Sequence, residues 1–270
     1  MPTAAHVVVS GPGGCGKTAL LRDLGERFTV VDDAHLQSDE VIAWQAGDRR
    51  LFAIGQRVPH RNRRLDEAVR DLGPDVVRIR LGPLRQDQVA GCVRERVGTE
   101  VTGDEASALF DRTGGVPAFL LSAVSSDPIG SLAPVLDAFA PGVRRLVSAL
   151  ALGAPLDRDL LGAALDLDAA ALMLAVDGAR AASALRPDGT LVPIVAQACR
   201  ALTDPGQCAA TLRDLVAAHR GRRQPIRRLA VSLLESPIAA MGQAELLVAA
   251  GREAMGGRPG PRGAVARRGR

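Results

Sequence analysis

His6-Val7-Val8-Val9-Ser10-Gly11-Pro12-Gly13-Gly14-Cys15-Gly16-Lys17-Thr18 places an apolar run, a glycine-rich bend and a polar helix start near the head of the chain. The valines predict a short buried strand, and Leu20, Leu21 and Leu24 beyond the bend predict one face of a helix. Gly11 to Thr18 satisfies G-x-x-x-x-G-K-[ST] in full, and its strand–loop–helix setting separates a phosphate-cradling loop from an ordinary turn. In such a loop the backbone of Gly11, Pro12, Gly13, Gly14, Cys15 and Gly16 wraps the phosphates, and the helix N-terminus adds positive potential. Lys17 is then the residue that reaches the β- and γ-phosphates, and Thr18 the one that holds Mg²⁺. ATP or ADP with Mg²⁺ is the expected ligand.

Lysine occurs once in the 270 residues, as Lys17, against 33 arginines. The sole ammonium thus stands where a tight phosphate pocket favours a compact point charge over a planar fork. Aromatic residues make up 2% of the chain, with no tyrosine and a single tryptophan, Trp44. The core must therefore be built from Leu, Val and Ala, which favours helices. The four cysteines, Cys15, Cys92, Cys199 and Cys208, show neither C-x-x-C pairing nor histidines at ligand spacing, so zinc and a disulfide framework are not expected. The four are expected to be small apolar fillers, with one qualification: a thiol at a helix N-terminus, as at Cys15, can have a lowered pKa and oxidise readily. No leader and no apolar run long enough to cross a bilayer is read, which predicts a cytoplasmic protein without membrane contact. The net charge is +4, and five arginines lie among the glycines and prolines of residues 258–270, an expected disordered tail. Without that tail the chain is close to neutral, so a generally basic nucleic-acid surface is not implied.

Strand-length apolar runs fall at Val7 to Val9, Phe28 to Val31, Leu51 to Ile54 and Val76 to Leu81. Between them Leu65, Ala68, Val69 and Leu72 follow helical spacing, as do Val89, Val93 and Val97. The alternation predicts an α/β fold: a parallel sheet of about four strands covered on both faces. Past Leu81 the pattern turns helical, with a break at Gly114-Gly115-Val116-Pro117 and the best candidate boundary at Ser125-Ser126-Asp127-Pro128. Helices are expected over Val143 to Leu150, Leu160 to Leu165 and Asp168 to Ala182, then a hairpin around Asp188-Gly189. Three helices and a hairpin suggest a winged-helix-like module. The expected divisions are 1–125, a nucleotide-binding core with a helical lid; 126–200, the winged-helix-like module; 201–256, a helical segment; and the tail, 257–270.

Phe28-Thr29-Val30-Val31-Asp32-Asp33-Ala34-His35 is an apolar strand ending in two carboxylates, the form of a magnesium-binding Walker B strand. Asp32 is the candidate metal ligand and Asp33 the candidate for orienting water, although a helix-capping aspartate has the same local pattern. Leu51-Phe52-Ala53-Ile54-Gly55-Gln56-Arg57 ends in a polar pair at the strand edge where ligands gather in open α/β sheets. Arg57 is the candidate γ-phosphate sensor.

The order GPGGCGKT, VVDDAH, LFAIGQR, VVRIRLGPL and TGGVPAFLL over residues 5 to 200 resembles the signal-transduction ATPases called STAND, especially the ATPase core of large LuxR-type transcriptional regulators. The resemblance implies a slow regulatory ATPase that changes shape on exchange of ADP for ATP and that works through a protein partner or self-association. It implies that the Gly115-Val116-Pro117 turn, with Pro117, lies near the nucleotide, and that Pro141 to Val195 acts as a lid rather than a DNA reader. Direct DNA binding is not expected. The chain departs from the family in three ways. Only 13 residues separate Thr18 from Asp32, which leaves out an edge strand. Val192-Pro193 stands where relatives often carry His-Pro, and no helical repeat array or C-terminal helix-turn-helix is read.

Two other function classes compete. A small metabolic kinase fits the short connection between Thr18 and Asp32, but no acceptor lid rich in arginine and aromatic residues is seen. A nucleic-acid binder would use Arg61, Arg63 and Arg64, or Arg222, Arg223, Arg227 and Arg228, yet neither cluster has interleaved aromatics.

Overall fold

The computed structural model describes residues 5–37 and 51–222, together with Ile226, Leu229, Val248 and Gly251. Trp44, Arg223, Arg227, Arg228, the expected helix at Leu246, Leu247 and Ala250, and the arginine tail lie outside the described residues.

The first half is built from β1 (His6–Gly11), α1 (Lys17–Leu24), β2 (Thr29–Val31), β3 (Phe52–Arg57), α2 (Arg63–Asp71) and β4 (Val76–Arg80). The strands form one parallel four-stranded sheet in the order β2-β3-β1-β4. The α/β expectation and its strand count are met. Because side chains alternate across a strand, each sheet face has its own cluster. Val8, Phe52 and Ile54 pack with Leu65 and Val69 of α2 on one face, and Val7, Val9 and Ala53 pack with Leu21 of α1 on the other. β3 reaches Arg57, as expected, and pairs with β1 up to Gly11 opposite Arg57, at the mouth of the glycine loop.

A second cluster of helices follows: α3 (Gln86–Val97), α4 (Gly103–Thr113) and α5 (Pro117–Ala123), packed through Val89, Val93, Ala106 and Leu120. After the short α6 (Ala133–Asp137) come α7 (Pro141–Ala151), α8 (Arg158–Leu165), α9 (Ala169–Ala181), α10 (Pro193–Leu202) and α11 (Pro205–Gly221). Local chemistry sets their starts. Thr102 and Glu105 form a reciprocal capping box, and Asp157, Asp168 and Asp204 accept the N–H of Leu160, Ala171 and Gln207. Pro117, Pro141, Pro193 and Pro205 occupy the first helical turn, where a missing N–H is harmless. One apolar cluster runs from Val116 and Phe119 through Leu146, Leu160 and Ile194 to Leu215.

The expected hairpin at Asp188-Gly189 is a tight turn closed by a single antiparallel bridge, Leu185 to Leu191. Arg186 N–H donates to Thr190 O at 2.8 Å, and the chain enters α10 at Pro193 almost at once, so the hairpin is small. Among the described residues no helix is long and apolar enough to cross a membrane.

Candidate functional site

The loop between β1 and α1 lies at the C-terminal edge of the sheet, beside the ends of β2 and β3. Gly16 caps α1 with φ of 91°, a backbone state open to glycine and strained for other residues. Lys17 is buried, 7% exposed, and its Nζ donates to Pro12 O at 2.7 Å. Burial, and then the nearby Arg57 charge, pull its ammonium below the ordinary lysine range. Thr18 Oγ1 donates to Asp32 Oδ2 at 2.6 Å, and Asp32 Oδ1 accepts the Asp33 N–H at 2.8 Å. The two candidate metal-holding side chains, 14 positions apart, are therefore in direct contact.

Gly55 makes that contact sterically feasible. A Cβ there would lie 2.7 Å from Asp32 Oδ1 and would collide with Leu21 Cδ1. β3 can thus slide beneath Asp32 only without a side chain at this position. Asp33 has φ of 47° and a half-exposed side chain, 3.9 Å from His35 Nδ1. His35 itself is buried and accepts the Arg57 N–H through Nδ1 at 3.3 Å. Burial and the Arg57 charge push its pKa down, so it is neutral here and its approach to Asp33 is not an ion pair. Arg57 Nε and Gln56 Oε1 are buried without a hydrogen-bond partner among the described residues. Such orphaned groups at a ligand-facing strand end are a place where an incoming polar ligand would be satisfied.

The backbone of the loop falls into two parts. Gly13 N–H donates to Ala181 O at 2.6 Å, Gly13 O accepts from Ser183 Oγ at 2.6 Å, and Gly14 O accepts the Ala118 N–H at 3.1 Å. Pro117, which precedes Ala118 in α5, is thereby brought against the loop. By contrast, the N–H groups of Gly14, Cys15 and Gly16 have no protein acceptor among the described residues. Adjacent free N–H groups at a helix N-terminus make an anion-binding nest.

Cys15 is buried, as expected of a small apolar filler, and only the qualification about a lowered pKa is corrected. Burial raises its pKa, and that effect outweighs the opposing pull of Ser183 and the Lys17 ammonium. The residues that sequence reasoning missed are Ala181 and Ser183. Their contact is made in part by a backbone carbonyl and spans about 170 positions, so no local pattern announces it. Gln56 stood beside the expected Arg57, yet only its burial without a partner marks it.

The residues fit a magnesium-bound nucleotide. The nest supplies donors for phosphate oxygens, Lys17 a buried cation, and Thr18 and Asp32 two oxygens on one side. Among the described residues no group of three His, Cys, Asp or Glu side chains could cage a metal ion by itself. Mg²⁺ bound to a nucleotide needs no such cage, since it typically takes one or two protein ligands, phosphates and water.

No protein-family description matches the chain, and no curated protein does. Among solved structures it is similar to the Signal Transduction ATPase with Numerous Domains (STAND) protein with a tetratricopeptide repeat sensor from Pyrococcus horikoshii. The identity is 15% and the TM-score 0.35, over 93% of this chain and 48% of that one. The chain thus spans about half the length of that protein, and a likeness this weak assigns no residue a role.

Proposed function

We propose that the chain is an ATP- and ADP-binding regulatory switch of the STAND type, related to the LuxR-type regulators, with slow or no hydrolysis. Lys17 and the backbone from Gly11 to Gly16 hold the phosphates, Thr18 and Asp32 hold Mg²⁺, and the bound ion neutralises charge across the phosphates. Asp33 orients water, and Arg57 meets the terminal phosphate. Residues 1–125 are the nucleotide core, and 126–200 act as a winged-helix-like lid rather than a DNA reader. Downstream output passes through a protein partner or self-association.

One observation carries the switch: Gly13, inside the phosphate loop, is held at both its N–H and its carbonyl by Ala181 and Ser183 of the helical half. A ligand that reshapes the loop must act on those bonds, so nucleotide state and helical packing are linked. A kinase has no evident need for that link.

Calorimetry with Mg²⁺ tests the pocket. ATP and ADP should bind the natural chain, and Lys17→Ala should abolish binding without unfolding the protein. Absence of binding in the natural chain would remove the nucleotide site altogether. Turnover as fast as a metabolic kinase would overturn the switch in favour of an enzyme.

A further inference from the structure

On the face of the helical half formed by α8 and α9 lies a cavity of about 430 Å³. This is within the roughly 300–1,000 Å³ of small-molecule sites. Its wall is apolar, from Leu156, Leu161, Leu172, Met173 and Val176, and its rim carries Arg158, Asp177 and Arg180. Met173 is 46% exposed and Leu156 38% exposed, although the bulk of this half is densely buried. The rim charges are unequal. Asp177 is already paired with Arg61 Nη2 at 3.0 Å, whereas neither Arg158 nor Arg180 has an acidic partner within ion-pair distance among the described residues. An apolar slot bordered by unneutralised guanidinium groups selects an apolar body ending in a carboxylate or a similar anion.

We propose that this groove binds a small amphiphilic anion and that its occupation is transmitted to the phosphate loop through the last turn of α9. That turn carries Asp177 and Arg180 at the rim. It then supplies Ala181 O to Gly13 N–H and leads directly to Ser183, whose hydroxyl bonds Gly13 O. Asp177 also ties the turn to Arg61, just ahead of the Asn62 cap of α2. A ligand seated against Met173, Val176 and Arg180 stabilises the docked position of this turn. By linkage it therefore strengthens the hold on Gly13. The binding half of the proposal stands by itself, and the coupling half rests on the nucleotide site proposed above.

Decanoate is the probe, with decanol as its uncharged counterpart. Titration without nucleotide should show saturable binding of decanoate to the natural chain, weaker by about tenfold for Arg180→Ala, the expected loss of one charge-assisted contact. Met173→Glu places a like charge in the slot at an exposed position that tolerates it, and should abolish binding while the circular dichroism and thermal midpoint stay unchanged. Decanol should bind less tightly than decanoate. No saturable binding, or binding that persists in Met173→Glu, overturns the site.

Release of a fluorescent ADP analogue should then slow by about fivefold or more when decanoate is present, the lower end of ordinary coupling. An unchanged release rate with decanoate bound overturns the coupling and leaves the groove assignment standing. Failure of the nucleotide site itself would appear as no analogue binding at all, with the decanoate isotherm intact.

Discussion

The sheet half and the helical half use the same aliphatic vocabulary with very different yields. Among the described residues, the two sheet faces bury clusters of six and four apolar side chains, while the helical half gathers 31 into one. Among the described residues β2 and β4 are the edge strands, with Val30 of β2 at 39% and Val77 of β4 at 49% exposure. A sheet face so thinly covered gives little hydrophobic stabilisation by its own means. The candidate chemistry sits on this thin half, and the thick half holds it through Gly13, Gly14 and Arg61. Ligand loops that must change shape are drawn from the less stable parts of a fold, and this loop follows that rule with its clamp supplied from elsewhere.

Core truncation probes the inequality most strongly. Phe119→Ala should remove about 3–5 kcal/mol and lower the main helical transition in chemical denaturation followed by circular dichroism. Ile54→Ala, at about 2–5 kcal/mol, should instead act chiefly on hydrogen-exchange protection of β1 and β3. A single transition moved equally by both substitutions would break the distinction between the halves.

Gly55→Val tests whether the sheet half has room to spare. Overpacking of about 1–3 kcal/mol is expected, and because the new side chain meets Asp32 and Leu21, Mg²⁺-nucleotide affinity should fall as well. Unchanged affinity would mean that contact between Asp32 and Thr18 is not needed for binding. Ser183→Ala removes one of the two bonds to Gly13 and should lower stability by about 0.5–1.5 kcal/mol. It should also speed release of a fluorescent ADP analogue, measured by stopped flow. Release no faster than in the natural chain would detach the helical half from loop control.

The smallest effects are protonic. His35 has a lowered folded pKa, so between that value and about 6.5 the unfolded chain binds more protons. Stability is thus full above about pH 6.5 and declines as the pH falls through that window. The decline should vanish in His35→Asn, which keeps an acceptor for the Arg57 N–H. For Lys17, also lowered, the stability of the free protein should rise with pH just below the ordinary lysine value of about 10.4. Nucleotide affinity should fall over the same range, because the ligand needs the ammonium. Parallel rather than opposite trends in stability and affinity would separate Lys17 from the ligand.

The glycine-rich loop, the strands feeding it and the carboxylate pair were legible because each depends on residues within a few positions. A valine run, positive-φ glycine and a lysine at fixed spacing are local signals. The helix start at Asp168 was legible for the same reason. The length of the small hairpin was not, because the turn chemistry of Asp188-Gly189 specifies a reversal but not how far the strands around it run, and Pro193 cuts them short. At Cys15 the helix N-terminus is visible in sequence, while the burial that raises the thiol's pKa is not.

By itself, the sequence determined a parallel α/β sheet with a glycine-rich loop, an aliphatic helical second half, and the identity of the side chains at the candidate site. Those follow from periodicity and from motif spacing, which act along the chain. Only the tertiary structure decided the strand order, the contact of Thr18 with Asp32 across Gly55, the orphaned Gln56 and Arg57 atoms, and the clasp of Ala181 and Ser183 on Gly13. Each of these joins residues distant in sequence through packing or backbone hydrogen bonds, and backbone groups are alike at every position.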